Sequence, residues 1–399
     1  MAPLPCRALS AEEAGALSLR VAAGETAARA ALLDAVAHRD AEAEYAAALL
    51  VYEGRGFDAD AGQARRLAER AAARGHPAAQ NMLGFFLQNG LGGERDLAEA
   101  RRWYEQAAGA GDAKAQVNLG WLYQEGLGAE RDAQLARQWY EKAAASGSIA
   151  AMYNLGVLNE ETIRNAGAAA GWYEKAAASG MVMADLRAAR ILDSGSGRRE
   201  DAARALIHYV KAAEAGIVEA YFPAARLLDS DAAGPRKPAQ ALRWFEEAAK
   251  QPNAEAAFRA AMLRRSRDAG KPDAAAAAEW LRKAAEQGYS AAFLPYAQAL
   301  ERGDGVRADA AQAIVWYRRA GDLGDAEALF SLGRLYEGGI GTSSDSRRAM
   351  QYFVMAADKG HAGAKDMLQG VFGPPPDPSS RDRPFGAPPT FGLPSPFAR

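Results

Sequence analysis

The sequence predicts an all-α chain, a solenoid of about nine helix pairs of 36 residues closed by a single C-terminal helix, and three observations carry that prediction. The first is self-similarity. The stretch from Asp112 to Gly147, moved back by 36 residues, lands on Leu83-Gly84, Gly90-Leu91-Gly92, Asp96, Trp103-Tyr104 and Ala107-Ala108, and moved forward it lands on Leu155-Gly156. The second is that this stretch holds two helical patterns joined by a Gly-x-Gly turn. The third is the register. Starts fall at Asp40, His76, Asp112, Ser148, Met181, Ile217, Asn253, Tyr289 and Asp325, with a last one at His361, and each step is 36 except the 33 from Ser148 to Met181. A fixed period of this size marks an array in which each helix pair hides its apolar face only against its neighbours.

Residues 1–39 read as an atypical lead-in with capping helices. Pro3 and Pro5 fray the first nine residues. Ser10 with Glu13 three residues on has the form of a capping box, which predicts a helix to about Ala23, and a second helix runs from Thr26 to His38. A terminal pair is expected to depart from the repeat because one of its faces meets water.

Residues 40–372 read as the solenoid, and four features recur in it. A small residue stands three positions after each start: Ala79, Ala115, Ala151, Ala184, Ala220, Ala256, Ala292, Ala328 and Ala364. Leu-Gly recurs at 83–84, 119–120, 155–156 and 332–333, with Ala pairs elsewhere. A mid-helix glycine costs roughly 1 kcal/mol against alanine, so its reuse implies a partner side chain that needs the space. That partner is the third feature, an aromatic pair on the second helix, as at Trp103-Tyr104, Trp139-Tyr140, Trp172-Tyr173, Trp244-Phe245 and Trp316-Tyr317. The fourth is an acid or amide seven residues before that pair: Asp60, Asp96, Asp132, Asn165, Asp201, Asp273, Asp309 and Asp345. An N-cap of the second helix belongs there. Lys237 breaks the rule, and Pro238 at the first helical position sets that start instead. The three residues missing from the Ser148 repeat fall in its turn, between Glu161 and Asn165, so both its helices survive. A lone helix from about Ala362 to Phe372 closes the array. Residues 373–399 hold half of the 18 prolines and read as a disordered or polyproline-like tail.

Composition narrows the function classes. With 49% hydrophobic and 25% charged residues the chain is ordinary for a soluble protein, and a net charge of −2 argues against nucleic-acid binding. Cys6 is the one cysteine, so neither an internal disulfide nor a thiolate zinc site is possible. Glu12 and Glu13 interrupt the apolar core that an export signal would need, and no run of about 18 apolar residues occurs. The expectation is a cytoplasmic protein, monomeric or weakly associating, with no membrane insertion.

No catalytic constellation emerges. The Gly-x-Gly turns at Gly54, Gly90, Gly126, Gly195, Gly303 and Gly339 follow helices and lack the strand, third glycine and lysine of a phosphate cradle, so left-handed helix ends explain them. The aspartates keep a capping phase. His38, His76, His208 and His361 are too scattered for a metal site, and His76 with His361 shares one position, which suits a packing or turn role. Pairs such as Arg101 with Glu105, Arg137 with Glu141 and Arg243 with Glu247 describe a solvated outer face. The chain is therefore expected not to be an enzyme and to need no cofactor or metal.

The combination A-x-x-x-L-G-x-x-Y, G-x-G, D-x-x-x-A and W-Y-x-x-A-A resembles the SEL-like repeat family, relatives of tetratricopeptide repeats. It reads most fully at Ala115, Leu119, Gly120, Tyr123, Gly126, Gly128, Asp132, Ala136, Trp139, Tyr140, Ala143 and Ala144. The match covers about Asp40 to Phe372 and is sharpest at 76–180 and 289–360; between Met181 and Gly288 the Leu-Gly pair and parts of the turn are lost. The resemblance implies a right-handed superhelix of antiparallel helix pairs and an adaptor role in assembling other proteins, here in a bacterial signalling or regulatory complex.

A candidate surface follows from the register. If Ala115, Leu119, Leu122 and Tyr123 face the core, helical geometry sends Val117, Trp121 and Gln124 to the other side of the first helix, which lines the concave groove in related repeats. The stripe supplies Phe85, Trp121, Tyr153, Arg190, Phe222, Arg226, Phe258, Met262 and Arg334, with Asn118 and Asn154 one position along, placed to hold a peptide backbone. Aromatics with arginines suit an extended or helical peptide. The competing reading packs these rings between adjacent first helices. An alternative ligand is a small molecule or saccharide stacked on Trp121 and Tyr153. Phe385, Phe391 and Phe397 make the tail a docking peptide for another protein or for self-association.

Overall fold

The computed structural model describes residues 8–195 and 197–372, the last two through their backbone alone. Cys6 and the proline-rich tail lie outside the described residues. Among those described there are 21 α-helices and no strand. The chain forms an α-solenoid of nine repeats followed by a C-terminal helix, and it divides into two compact bodies, Met1–Arg236 and Lys237–Arg399.

The first body opens with α1 (Ala11–Ala22) and α2 (Thr26–Ala37). Ser10 and Glu13 form the capping box that the sequence predicts. First helices of the repeats are then α3 (Ala41–Glu53), α5 (Pro77–Asn89), α7 (Ala113–Glu125), α9 (Ile149–Val157), α11 (Val182–Ser194) and α13 (Tyr221–Leu228). Alternating with them are the second helices α4 (Ala61–Ala73), α6 (Leu97–Gly109), α8 (Ala133–Ala145), α10 (Ala166–Ala178) and α12 (Arg199–Glu214). The second body holds α14 (Pro238–Ala249), α15 (Ala254–Arg265), α16 (Ala274–Glu286), α17 (Phe293–Arg302), α18 (Ala310–Asp322), α19 (Ala326–Gly338), α20 (Ser346–Asp358) and α21 (Ala362–Phe372).

Seven of the ten predicted starts cap a first helix or the closing helix through their side chains; Met181 precedes α11 without a side-chain bond, and Ile217 and Tyr289 precede 3₁₀ turns. Asp40, Asp112, Ser148, Asn253 and Asp325 each accept a hydrogen bond from the amide three residues on, which belongs to the recurring alanine. Such caps satisfy donors that the helix itself leaves unpaired. His76 and His361 do the same through Nδ1, at 3.1 Å from the amides of Ala79 and Ala364. The alanines are fully buried.

Second helices are capped by Asp60, Asp96, Asp132, Asn165, Asp273, Asp309 and Asp345 as the spacing predicts. Asp201 is the exception. Helix α12 begins at Arg199, so Asp201 sits inside its first turn and pairs with Arg198 and Arg204. Glu200 and Asp201 place two negative charges at the positive end of that helix, which favours the earlier start. Gly195 correspondingly departs from the expected left-handed turn, with φ −85°, and Gly197 takes φ 66° instead.

The glycine notches are filled from within the same repeat. A Cβ built on Gly84, Gly120, Gly156 or Gly333 would come within 2.8 Å of the ring of Tyr104, Tyr140, Tyr173 or Phe353. In these four repeats the ring in the notch is the second of the aromatic pair, and helix packs on helix through a ring seated on bare backbone. Neighbouring repeats interlock through the second turn glycine: at Gly92 a Cβ would lie 2.3 Å from the Ala61 carbonyl oxygen of the preceding repeat.

Two irregularities have local causes. In the shortened repeat the chain after α9 widens into a π-helical turn, Leu158–Ile163, which ends on Arg164 in the left-handed region. Pro223 and Pro295 stand near the start of α13 and α17, and each of those helices is preceded by a 3₁₀ turn, Val218–Ala220 and Ser290–Ala292. Proline has no amide to donate and crowds the carbonyl four residues back, so a regular α start is lost.

Candidate functional site

The face opposite the ring-in-notch seam is built from the first helices, and three positions on it behave differently. Five residues after each start, the side chains are covered by the next repeat. Tyr45 stacks on His76 with centroids 4.8 Å apart, Phe258 lies 5.3 Å from Tyr289, and Phe330 stacks on His361 at 4.2 Å. The same histidines point Nε2 at Glu42 and Glu327 of the preceding repeat, 3.1 Å in both cases. With Nδ1 accepting the capping bond, Nε2 carries the proton and donates it. Tyr153 is covered differently, by Tyr173 at 5.4 Å.

Twelve residues after the start, polar side chains serve the buried tyrosines. The hydroxyls of Tyr104, Tyr140 and Tyr173 donate to Gln88, Gln124 and Glu160 at 3.0, 3.2 and 2.7 Å. Burial raises all three phenols well above the usual tyrosine range, and the Glu160 carboxylate pushes Tyr173 further.

Nine residues after the start lies a row that stays open in most repeats, although Val157 and Gln298 are half-buried. Leu49, Phe85 and Trp121 are 36%, 38% and 37% exposed, one per repeat. Further along the first body the row continues with Arg190 and Arg226, both exposed. Arg226 is held at 2.5 Å by Asp193 of the preceding repeat. In the second body Met262 is exposed, and Arg334 is held at 2.7 Å by Glu301.

These facts sort the predicted stripe. Phe85, Trp121, Arg190 and Met262 are exposed as expected. Tyr153 and Phe258 are half-buried and ring-packed, and Phe222 is half-buried. The reading of Tyr153 as an open stacking surface is thereby corrected. Arg226 and Arg334 are not free cations, because each bridges two repeats. Asn118 donates from Nδ2 to Asn81 Oδ1 at 2.9 Å, so the two amides form a pair across repeats.

The structure brings Phe85 and Asn118 together in one groove of about 670 Å³ on the first body, with Tyr45, Leu49, Tyr52 and Asn81. Tyr52 meets Phe85 edge-on at 6.3 Å. Burial raises the Tyr45 phenol, helped by the charges of Asp112, Glu42 and Glu53. Trp121, Tyr153 and Asn154 do not line this groove. Sequence reasoning missed Tyr45, Leu49 and Tyr52, because their repeat has neither Leu-Gly nor an aromatic pair to draw the eye. The signal was present: they stand five, nine and twelve residues after Asp40, in the phase of the rest.

Among the described residues no group of three or more His, Cys, Asp or Glu is arranged to hold a metal ion, and no helix is long and apolar enough to cross a membrane. His208 instead bridges Asp185, at 2.7 Å, and Glu174, at 3.5 Å, which ties α12 to α11 and α10.

A family model described as Sel1 repeat matches residues 41–76, 77–112, 113–148, 149–181, 182–217, 225–253, 254–289, 296–325 and 326–361. Its sixth and eighth matches begin late, just after Pro223 and Pro295. No curated protein matches the chain. Among solved structures, a protective antigen of uropathogenic Escherichia coli strains displaying an SLR fold is 29% identical, with a TM-score of 0.57 over 91% of this chain and 87% of the other. A Sel1 repeat protein from Oxalobacter formigenes is 24% identical over 92% of this chain and 98% of its own, with a TM-score of 0.37.

Proposed function

The chain belongs to the Sel1 repeat family, and on that premise we propose that it is a non-enzymatic adaptor whose first-helix face holds an extended segment of another protein. Sel1 repeat proteins are generally protein-interaction scaffolds. The seat on this chain is the groove of the first body, and its context is a bacterial signalling or regulatory complex.

One observation carries the reading: an open apolar groove in which Leu49, Tyr52 and Phe85 stay 36–38% exposed beside the Asn81–Asn118 pair. Large apolar side chains left in contact with water on a rigid surface are the usual anchors of a partner. The amides add directional contacts for a main chain that has no strand or helix of its own to satisfy it. An aromatic row with amide groups at the spacing of the repeats selects an extended peptide over a compact ligand.

The test is selection of random peptides displayed on phage against the full chain. Enriched sequences carrying aromatic or proline anchors, with binding weakened about tenfold or more by Tyr52→Ala with Phe85→Ala, are the expected result. Both side chains are more than a third exposed, so helicity and melting are expected to stay near those of the parent. Absence of enrichment, or binders indifferent to the double substitution, refutes the assignment of the groove.

A further inference from the structure

The C-terminal sequence carries a regular face of rings and prolines that suits an aromatic groove, and we propose that the groove's occupant is residues 383–397 of a second copy of this chain, bound as a left-handed polyproline helix. The proposal rests on the peptide-binding reading above.

The first support is the phase of the segment RPFGAPPTFGLPSPF. Taken every third residue it reads Phe385, Pro388, Phe391, Pro394, Phe397, whereas the intervening positions hold Pro384, Ala387, Thr390, Leu393 and Pro396 on one line and Gly386, Pro389, Gly392 and Ser395 on the other. A polyproline II helix has three residues per turn and rises about 3.1 Å per residue. In that conformation every ring falls on one face, rings alternate with prolines, and one of the flanking faces is lined mainly by small residues. Successive anchors are then roughly 9 Å apart and successive rings roughly 19 Å.

The second support is the spacing of the groove. It presents Leu49 and Phe85 from the open row, 36 residues apart on successive first helices, and Trp121 continues the row beyond it. Helices that pack directly stand about 8–10 Å apart, and α5 and α7 do touch. The step of the tail's anchors is therefore of the same size as the usual separation of helices in contact. Aromatic-lined grooves are the standard receptors for such helices because the ligand is already ordered before it binds.

The third support is the length of chain available. Residues 373–399 follow α21 directly and carry the three rings. About ten residues separate α21 from Pro384, enough for a spacer of roughly 30 Å in an extended conformation. Tail-to-groove contact between copies is heterologous, so each molecule offers one donor and one acceptor.

The experiment uses the full chain carrying Phe385→Ser, Phe391→Ser and Phe397→Ser, which leaves the groove without its own ligand, and a fluorescent synthetic peptide of residues 381–399. The expected results are saturable binding measured by anisotropy, loss of about tenfold or more on adding Phe85→Ser to the chain or on placing serine at the three phenylalanines of the peptide, and concentration-dependent association of the parent chain in sedimentation that the triple variant lacks. The peptide-side substitutions leave the receptor untouched, so they read the contact even if a groove variant folds poorly. A peptide that fails to bind, or binds without regard to its rings, overturns the proposal. Binding with identical sedimentation of parent and triple variant overturns the assignment to a second copy. If phage-selected peptides bind the groove while the tail peptide does not, the tail is ruled out and the adaptor reading stands; if neither binds, both fall.

Discussion

Gly120 carries the packing of its repeat through an absence. A methyl group there would stand 2.7 Å from Tyr140 and 3.2 Å from the Ala136 carbonyl. Alanine's better helix propensity is worth about 1 kcal/mol, and forcing an atom into a filled core costs about 1–3 kcal/mol. The Tyr140 ring is fully buried and tied to Gln124, so it has little room to retreat. Gly120→Ala is expected to lower stability by about 1–2 kcal/mol in urea unfolding. Gly171 is the control: it also lies inside a helix, but a methyl there meets nothing within 4 Å, so Gly171→Ala is expected to stabilise by up to about 1 kcal/mol. The same rings set an alkaline limit. Tyr209 is pushed up to about 12 by burial and the nearby Asp193, and Tyr104, Tyr140, Tyr173 and Tyr317 are raised further, chiefly by burial. An unfolded phenol loses its proton near 10 while the native one keeps it, so their contribution is whole below that pH and falls as pH rises toward the native values. Absorbance of the phenolate near alkaline pH is expected to rise in step with loss of helicity for these residues; titration well before unfolding would contradict it.

At the scale of the helix, the ends decide the array. His76 caps α5 with one ring nitrogen, turns the other toward Glu42 and stacks on Tyr45, so one side chain joins two repeats. His76→Ala is expected to cost about 1–2 kcal/mol, and His76→Asp to recover only the share due to the cap. A His76→Asp variant as stable as the parent would show that the stacking contributes nothing. The helices and their caps were legible because capping obeys local spacing: seven of the eight predicted acids and amides cap second helices, and Pro238 opens α14 as read. Asp201 escaped that logic because its helix gains a turn from the charges around it. The unit starts were recognised as landmarks but not as caps, since histidine is an unusual residue in that role and only the fold shows its ring turned toward the amide.

At the scale of the molecule, the repeat explains why architecture was easier to read than the site. Core positions recur, so each repeat corroborates the others; surface positions differ from one repeat to the next and must be judged singly. The sequence pattern located the first-helix face and placed Phe85 and Trp121 on its open row. It left unresolved which rings the next repeat would cover, because stacking of Phe258 on Tyr289 depends on residues that are neighbours only in space. Likewise the arginines of the stripe read as part of a peptide-binding row, whereas Asp193 and Glu301 already hold Arg226 and Arg334. The proposed partner lies along α3, α5 and α7. Hydrogen–deuterium exchange of the full chain, with and without a saturating phage-selected peptide, tests it most directly. Protection concentrated in residues 41–53, 77–89 and 113–125 is the predicted result, and protection confined to the second helices or to the second body would contradict it.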